Sequence, residues 1–517
     1  MMRWMIVHGV LIIGSLAVAQ LVSPLTAAEP PPEKVSAEVL YAASIGGPVR
    51  VNVTLAAPAA PPPPISRPDI RGRVAAAQAA VLARLTPADF VVIHRHSAVP
   101  GLTGLASPAG IAKLASDPDV AAVTLDGVGS GGSERLPIDA AAPALTLSRS
   151  VPMIHADAAH ALGVTGVGVT VAVLDSGADT DHPDLADSIS SQECFLTGAG
   201  SRCPNGLTRQ SGVGAAEDDL GHGSNVTGIV TSNGVVSSVG VAPGAKVLLY
   251  KILNSSNQGQ FSDWDAALND IIANHPEVRV VNMSLVSFST YPGVCNSVDP
   301  TTTAAFNTLT AAGVVIFVSA GNNAAKAAIT YPACVSNAVS VGAVYDQTFS
   351  SSTFFGCTNT PATIDVPTCW SNSSPGLELL APGSFIVSDG LSGGTSTYTG
   401  TSQASPHAAG VAALMLQNTP SVTPANIRAR LKSSGVPRTD PANLITTPRI
   451  DALAAITAAT LGGIDNEPGA DPSGSRTDLG GGGKAPWLPP AGIVVAAISV
   501  FGMRGALSAL KRRRDRA

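Results

Sequence analysis

Between residues 150 and 460 the chain breaks up its loops with short runs of apolar, largely β-branched residues, at 169–174, 246–253, 278–283, 314–318 and 339–344. These runs are near-continuous in hydrophobicity rather than alternating, as strands buried on both faces must be. Segments at 263–274 and 302–312 have helical character and can serve as crossovers between them. Buried strands joined by helices are the signature of a parallel sheet in an α/β domain.

A smaller unit is expected at 30–126. It opens with alternating Val49, Val51, Val53 and Leu55, and continues through an Ala-rich helical segment at 71–85. A strand candidate follows at 90–94, then a helix at 111–114 and a further strand at 120–125, which together suit a small α+β domain. The Gly/Ser-rich stretch at 127–133 reads as the start of a linker over 127–150. Arg3, the apolar run 5–22 and the small residues Ala17, Ala19, Ala27 and Ala28 make an export signal at 1–28; an uncleaved membrane helix is the alternative. Export suits structural disulfides for Cys194, Cys203, Cys295, Cys334, Cys357 and Cys369, which lie within one domain length and lack the CxxC spacing of a zinc site. Composition leaves their pairing open. With a formal net charge of -6 and only 13% charged residues, the chain has no electrostatic case for binding nucleic acid.

Three stretches of the α/β zone carry reactive side chains: Val171-Ala-Val-Leu-Asp175-Ser-Gly177, Gly221-His222-Gly223, and Gly400-Thr401-Ser402-Gln403-Ala404-Ser405-Pro406-His407 before an apolar helical run. A serine hydroxyl becomes a useful nucleophile only when a histidine takes its proton, and that histidine needs a carboxylate to fix its tautomer. Strand ends of a parallel sheet are where such groups can converge. A lipase-type esterase would need Gly-x-Ser-x-Gly and the order Ser…Asp…His, and neither is present at the candidate triad.

These motifs resemble the three active-site motifs of the subtilisin-like serine proteases, in that family's Asp…His…Ser order. Val241-Ala-Pro-Gly-Ala245 and Leu380-Ala-Pro-Gly383 resemble its two Ala-Pro-Gly turns. The resemblance covers 151–460 and implies a three-layer α/β/α fold with a mostly parallel sheet and peptide-bond hydrolysis through an acyl-enzyme. It assigns the triad to Asp175, His222 and Ser402, and the oxyanion hole to Asn322, in Val318-Ser-Ala-Gly321-Asn322, with the Ser402 N–H. Substrate contacts would come from Ser284, Leu285, Gly259, Phe261 and Gly321. Three departures stand out. Val286 replaces the usual glycine beside the first specificity pocket, and Ser224 and Asn225 replace Thr and His after the histidine. No cofactor is implied for the chemistry. Calcium is implied at Asp184, whose partner loop 232–238 offers Asn233 as a side-chain oxygen. Among the thiols, Cys194–Cys203 and Cys357–Cys369 would close short loops. Tyr331-Pro-Ala-Cys334 resembles a disulfide-bearing stretch of some family members and implies Cys295–Cys334.

By position and pattern, 30–126 resembles the family's propeptide, which would make it an intramolecular inhibitor. A Gly/Pro-rich spacer at 461–486 includes the run Gly480-Gly-Gly-Gly483, and leads to an apolar segment at 487–510 and a basic end at 511–517. That end resembles the Gly-Gly type of bacterial C-terminal sorting signal, whose partner is an intramembrane protease. A stop-transfer anchor with its basic end in the cytoplasm fits the same residues.

Overall fold

The computed structural model describes residues 34–56, 67–136 and 147–458. The export signal, the residues 137–146 of the expected linker and everything from 459 onward, including the spacer, apolar segment and basic end, lie outside the described residues. Among the described residues no helix is long and apolar enough to cross a membrane.

The first unit is a four-stranded antiparallel sheet in the order Phe90–Arg95, Gly101–Ala106, Val49–Leu55, Val120–Leu125, with helices Ala37–Ser44, Arg67–Leu82 and Pro108–Ser116. Alternation along Val49–Leu55 sorts its side chains by face. Val49, Val51, Val53 and Leu55 enter a core with Val39, Val81, Ile111 and Leu114. Arg50, Asn52 and Thr54 face the other way and meet the second unit. Asn52 Nδ2 donates to Asp299 Oδ2 at 2.7 Å, and the Thr54 and Thr301 hydroxyls lie 2.9 Å apart. Arg50 donates to the Thr197 carbonyl at 3.0 Å and to Ser262 Oγ at 2.9 Å. The strand Gly101–Ala106 and the helix Ala37–Ser44 add to the elements expected from sequence; two glycines and no β-branched apolar residue hide the strand.

The second unit is built on a ten-stranded sheet. Its central strands run in the order Leu379–Ser384, Ala338–Tyr345, Val315–Ser319, Val278–Met283, Thr170–Asp175, Lys246–Lys251, Ile189–Phe195, all parallel. Thr446–Arg449 continues the sheet in parallel at one side, while Val436–Thr439 and Arg209–Ser211 close its edges in the antiparallel sense. Val171, Val173, Val247 and Leu249 pack on one face with the helices His222–Thr231 and Thr401–Asn418. Ala172, Leu174, Leu248 and Tyr250 pack on the other with Phe261–Asn274 and Pro300–Ala311. This is the three-layer α/β/α architecture with a mostly parallel sheet that the sequence resemblance implies. The first unit docks on the Phe261–Asn274 and Pro300–Ala311 side, where Asn269 Oδ1 accepts the Ala98 and Val99 N–H groups at 3.1 and 2.8 Å.

Two expectations are corrected. Leu380-Ala-Pro-Gly383 lies inside the strand Leu379–Ser384 rather than in a turn, with Pro382 opposite Val344. The stretch at 127–133 is not a free linker. Val128–Gly131 is a strand held antiparallel between Gln258–Gln260 and Leu285–Ser287, and Glu134–Leu136 pairs with Thr395–Thr399. Its glycines suggest flexibility, but their lack of side chains is what lets the backbone enter a narrow slot. Disulfides join Cys194 to Cys203, Cys295 to Cys334 and Cys357 to Cys369.

Candidate active site

The strand Thr170–Asp175 lies between Lys246–Lys251 and Val278–Met283, so the chain departs from it in both directions across the sheet. Such a switch point opens a crevice at the carboxyl ends of the strands. Asp175 is the last residue of that strand and is fully buried. Its Oδ1 accepts the Ser176 N–H at 2.7 Å and lies 2.6 Å from His222 Nδ1. His222 opens the helix His222–Thr231, and Gly221 before it takes φ +93°, a left-handed turn that suits glycine. The ring of Tyr398 meets the imidazole edge-on at 5.5 Å. His222 Nε2 is buried and has no hydrogen-bond partner.

Ser402 is the second residue of the helix Thr401–Asn418. Its hydroxyl donates to the Ser284 carbonyl at 3.2 Å, not to His222 Nε2, and Ser284 Oγ donates back to the Ser402 carbonyl at 2.7 Å. Asn322 follows the strand Val315–Ser319. Its Oδ1 accepts the Thr401 N–H at 2.9 Å, which aims its Nδ2 outward to donate to the carbonyl of Gly132. Gly321 N–H donates to Thr401 Oγ1 at 3.1 Å, so it braces the helix start. Of the four expected catalytic positions, Asn322 touches the Gly132 carbonyl of the chain itself, while the His222 ring lies beside the preceding residue, Gly131.

The expected substrate contacts divide. Leu285 and Gly259 lie in the strands that flank Val128–Gly131, opposite Gly131 and Gly129. Phe261 heads its helix, and its ring packs, tilted, 4.8 Å from those of both Trp264 and Tyr331, so most of it is core. Ser224 and Asn225 are knitted into the fold. Ser224 Oγ donates to Asp218 at 2.7 Å, and Asn225 Nδ2 donates to the Ser396 carbonyl at 2.9 Å. Sequence reasoning missed Asn257, whose amide grips Gly131 at both backbone groups, N–H to Oδ1 at 3.0 Å and Nδ2 to the carbonyl at 2.7 Å. It sits in a polar turn, Asn254-Ser-Ser-Asn257, and φ +59° is its only peculiarity. Trp264 was missed as well, since one tryptophan in an amphipathic helix looks like core.

Asp184 does not face a cation. Its carboxylate accepts the backbone N–H groups of Val235, Val236 and Ser237, the latter two at 2.8 and 2.7 Å. Calcium would require the loop to turn carbonyl oxygens inward, and here it presents donors. His182 and Asp389 lie beside Asp184, but both His182 nitrogens are engaged, with the Asp184 N–H at 3.0 Å and the Gly394 carbonyl at 2.8 Å. This donor set does not fit calcium. Burial works to raise Asp184, but the three N–H donors outweigh it and leave the carboxyl below its usual range. Asp389 goes the other way: burial, then the charge of Asp184, pushes it up to about 8. An acid raised above its unfolded value of about 3.9 binds a proton more tightly in the native state, so stability falls as pH rises between the two values. Asn at 389 keeps the shape without that loss. In a Ser402→Ala background, the melting-temperature gain of Asp389→Asn is expected to grow from pH 5 to pH 8 and then level off. A gain independent of pH in thermal unfolding would contradict it.

The model of the subtilase family matches residues 166–467. M-protease of Shouchella clausii (strain KSM-K16) is 31% identical over 360 residues, covering 69% of this chain and 79% of that protein. Subtilisin E of Bacillus subtilis (strain 168) is 31% identical over 333 residues, covering 63% and 72%. Subtilisin Savinase of Lederbergia lenta is 34% identical over 292 residues, covering 56% and 92%. With the fold, the family match and these relatives in agreement, the chain belongs to the subtilase family and is a subtilisin-like serine endopeptidase.

Proposed function

We propose that Asp175, His222 and Ser402 act as the triad of an exported endopeptidase that works through an acyl-enzyme, and that residues 30–126 are its intramolecular inhibitor. The observation that carries this reading is the Gly132 carbonyl. It sits at the end of a strand held between two protein strands, as an extended peptide substrate would be, and accepts from Asn322 Nδ2. Catalysis begins when the Ser402 hydroxyl turns from the Ser284 carbonyl to His222 Nε2. Ser402 Oγ adds to the substrate carbonyl carbon as Nε2 takes its proton, and Asp175 stabilises the imidazolium. Asn322 Nδ2 and the Ser402 N–H hold the oxyanion. The C–N bond breaks as Nε2 protonates the leaving amine. Water then releases the acyl group by the same route in reverse. No metal or cofactor enters these steps.

Residues 30–126 suit an inhibitor because much of their contact with the peptidase domain, 151–460, is polar, although Ala98 and Val99 pack into its second core. Asn52, Thr54 and Arg50 meet it through hydrogen bonds, which water can replace after cleavage. Export rests on the leader at 1–28 and the disulfides. Beyond the spacer, 487–510 and the basic end 511–517 would tether the enzyme to the cell envelope, or be removed by an intramembrane sorting protease near 480–483.

Ser402→Ala is expected to abolish proteolysis and leave the precursor uncut between about 126 and 155; mature-sized protein from a protease-free host would disprove self-processing. Asn322→Ala should lower kcat by about 10²–10³ with little change in KM, because its bond to the oxyanion matures only in the transition state. An equal rise in KM in steady-state kinetics would remove it from the oxyanion hole. For the tail, mass spectrometry of the mature enzyme should show a C-terminus at or near 480–483, lost when those glycines become Leu. A C-terminus still carrying 511–517 would establish a permanent anchor.

A further inference from the structure

Three of the four residues at 129–132 of the seated segment are buried glycines, and in each case the enzyme supplies the reason. We propose that the acyl-side subsites select glycine at P1, the residue that donates the scissile carbonyl, and at P4, three residues before it. Val286 and Trp264 impose the choice, so the substrates are glycine-rich peptide segments, the first being the chain's own Gly132–Ser133 bond. This rests on the catalytic reading above.

At P1, a Cβ on Gly132 would fall 2.8 and 3.0 Å from the two Val286 methyl carbons, well inside the ~3.5–4.0 Å of carbon–carbon contact. Val286 cannot retreat. A β-branched side chain has little χ1 freedom, and its strand is pinned on both sides. The Leu285 carbonyl accepts from Ser319 Oγ at 3.0 Å, and the Ser287 N–H donates to the Tyr331 carbonyl at 2.8 Å.

At P4, a Cβ on Gly129 would overlap the Trp264 indole and lie 2.7 Å from the Val286 carbonyl. Trp264 is fully buried, 4.8 Å from the Phe261 ring and stacked 6.1 Å from that of Tyr331, so the pocket is filled from within. Gly131 has a similar restriction, since its Cβ would lie 2.8 Å from His222 Cε1 and 2.7 Å from Asn257 Oδ1. Among residues 129–132, Ser130 alone carries a side chain, and it is only half-buried. The acceptable pattern is therefore Gly-x-Gly-Gly. In the first turnover the bond between the Gly132 carbonyl carbon and the Ser133 nitrogen breaks. Water supplies the hydroxyl of the new Gly132 carboxylate and the proton of the new Ser133 amine.

The test uses the full chain expressed with its N-terminal unit. Mass spectrometry of the released N-terminal fragment should give a C-terminus at Gly132. The mature enzyme should cleave Gly-Ser-Gly-Gly-Ser-Glu-Arg peptides with kcat/KM at least tenfold above analogues carrying Phe or Leu at P1, or Leu at P4. Val286→Gly should reverse the P1 preference, and Trp264→Ala should admit Leu at P4 while P1 stays glycine. Should Trp264→Ala fail to mature, the wild-type peptide panel and Val286→Gly still decide. An enzyme that takes a fluorophosphonate label on Ser402 and digests casein, yet prefers Phe at P1 or keeps its preference in Val286→Gly, overturns the selectivity alone. With no label and no cleavage of any substrate, the catalytic reading falls and the selectivity with it.

Discussion

A parallel sheet cannot leave either face in water, and this requirement organises the peptidase domain. Strands such as Thr170–Asp175 send alternate residues into separate cores, Val171 and Val173 to one and Ala172 and Leu174 to the other. Each core needs its own layer of helices. The helices that cover the first face are His222–Thr231 and Thr401–Asn418, and both begin with a proposed catalytic residue, His222 at the first position and Ser402 at the second. The reactive groups are thus tied to the core by the hydrophobic seams behind them. Asp175 is fixed by the strand itself, which lets its short contact with His222 persist in a fully buried setting.

The opposite face shows a different use of burial. Helices Phe261–Asn274 and Pro300–Ala311 close the second core but also present Ser262, Asn269, Asp299 and Thr301 to the N-terminal unit. The sheet that meets them answers with Arg50, Asn52 and Thr54 while keeping its valines for its own core. Only Ala98 and Val99 of the N-terminal unit enter the second core, so the two units can part while exposing little apolar surface at either core. That suits the proposed role of a domain that would hold an enzyme closed and later leave it.

Much of this was legible in the sequence because the signals were strong and local. Val278–Met283 is a strand at the bounds its apolar run marks, and the motifs around Asp175, His222 and Ser402 fall at one crevice. What was hidden depends on tertiary partners. Gly101–Ala106 becomes a strand because neighbours on both sides supply its ladder. Leu380-Ala-Pro-Gly383 looks like a turn until the sheet extends through it. Asp184 matches a ligand position, yet the backbone donors of Val235, Val236 and Ser237 take its lone pairs, and which way a loop turns its N–H groups is not written in composition. Asn257 carries no motif, and only the docked backbone of Gly131 gives it a role.

The stretch at 127–133 shows why glycine is the hardest residue to read from sequence alone. It permits flexible backbone and it permits close approach, and both uses look the same in a string of letters. Here the neighbours decide. Gly129, Gly131 and Gly132 are buried in a slot whose walls are Trp264, Val286, Asn257 and His222. A flexible tether would have left those walls without a match, whereas a bound strand explains their bulk. The valine that departs from the family pattern and the glycines that follow the N-terminal unit then become one fact: the pocket and the segment that fills it are complementary in volume.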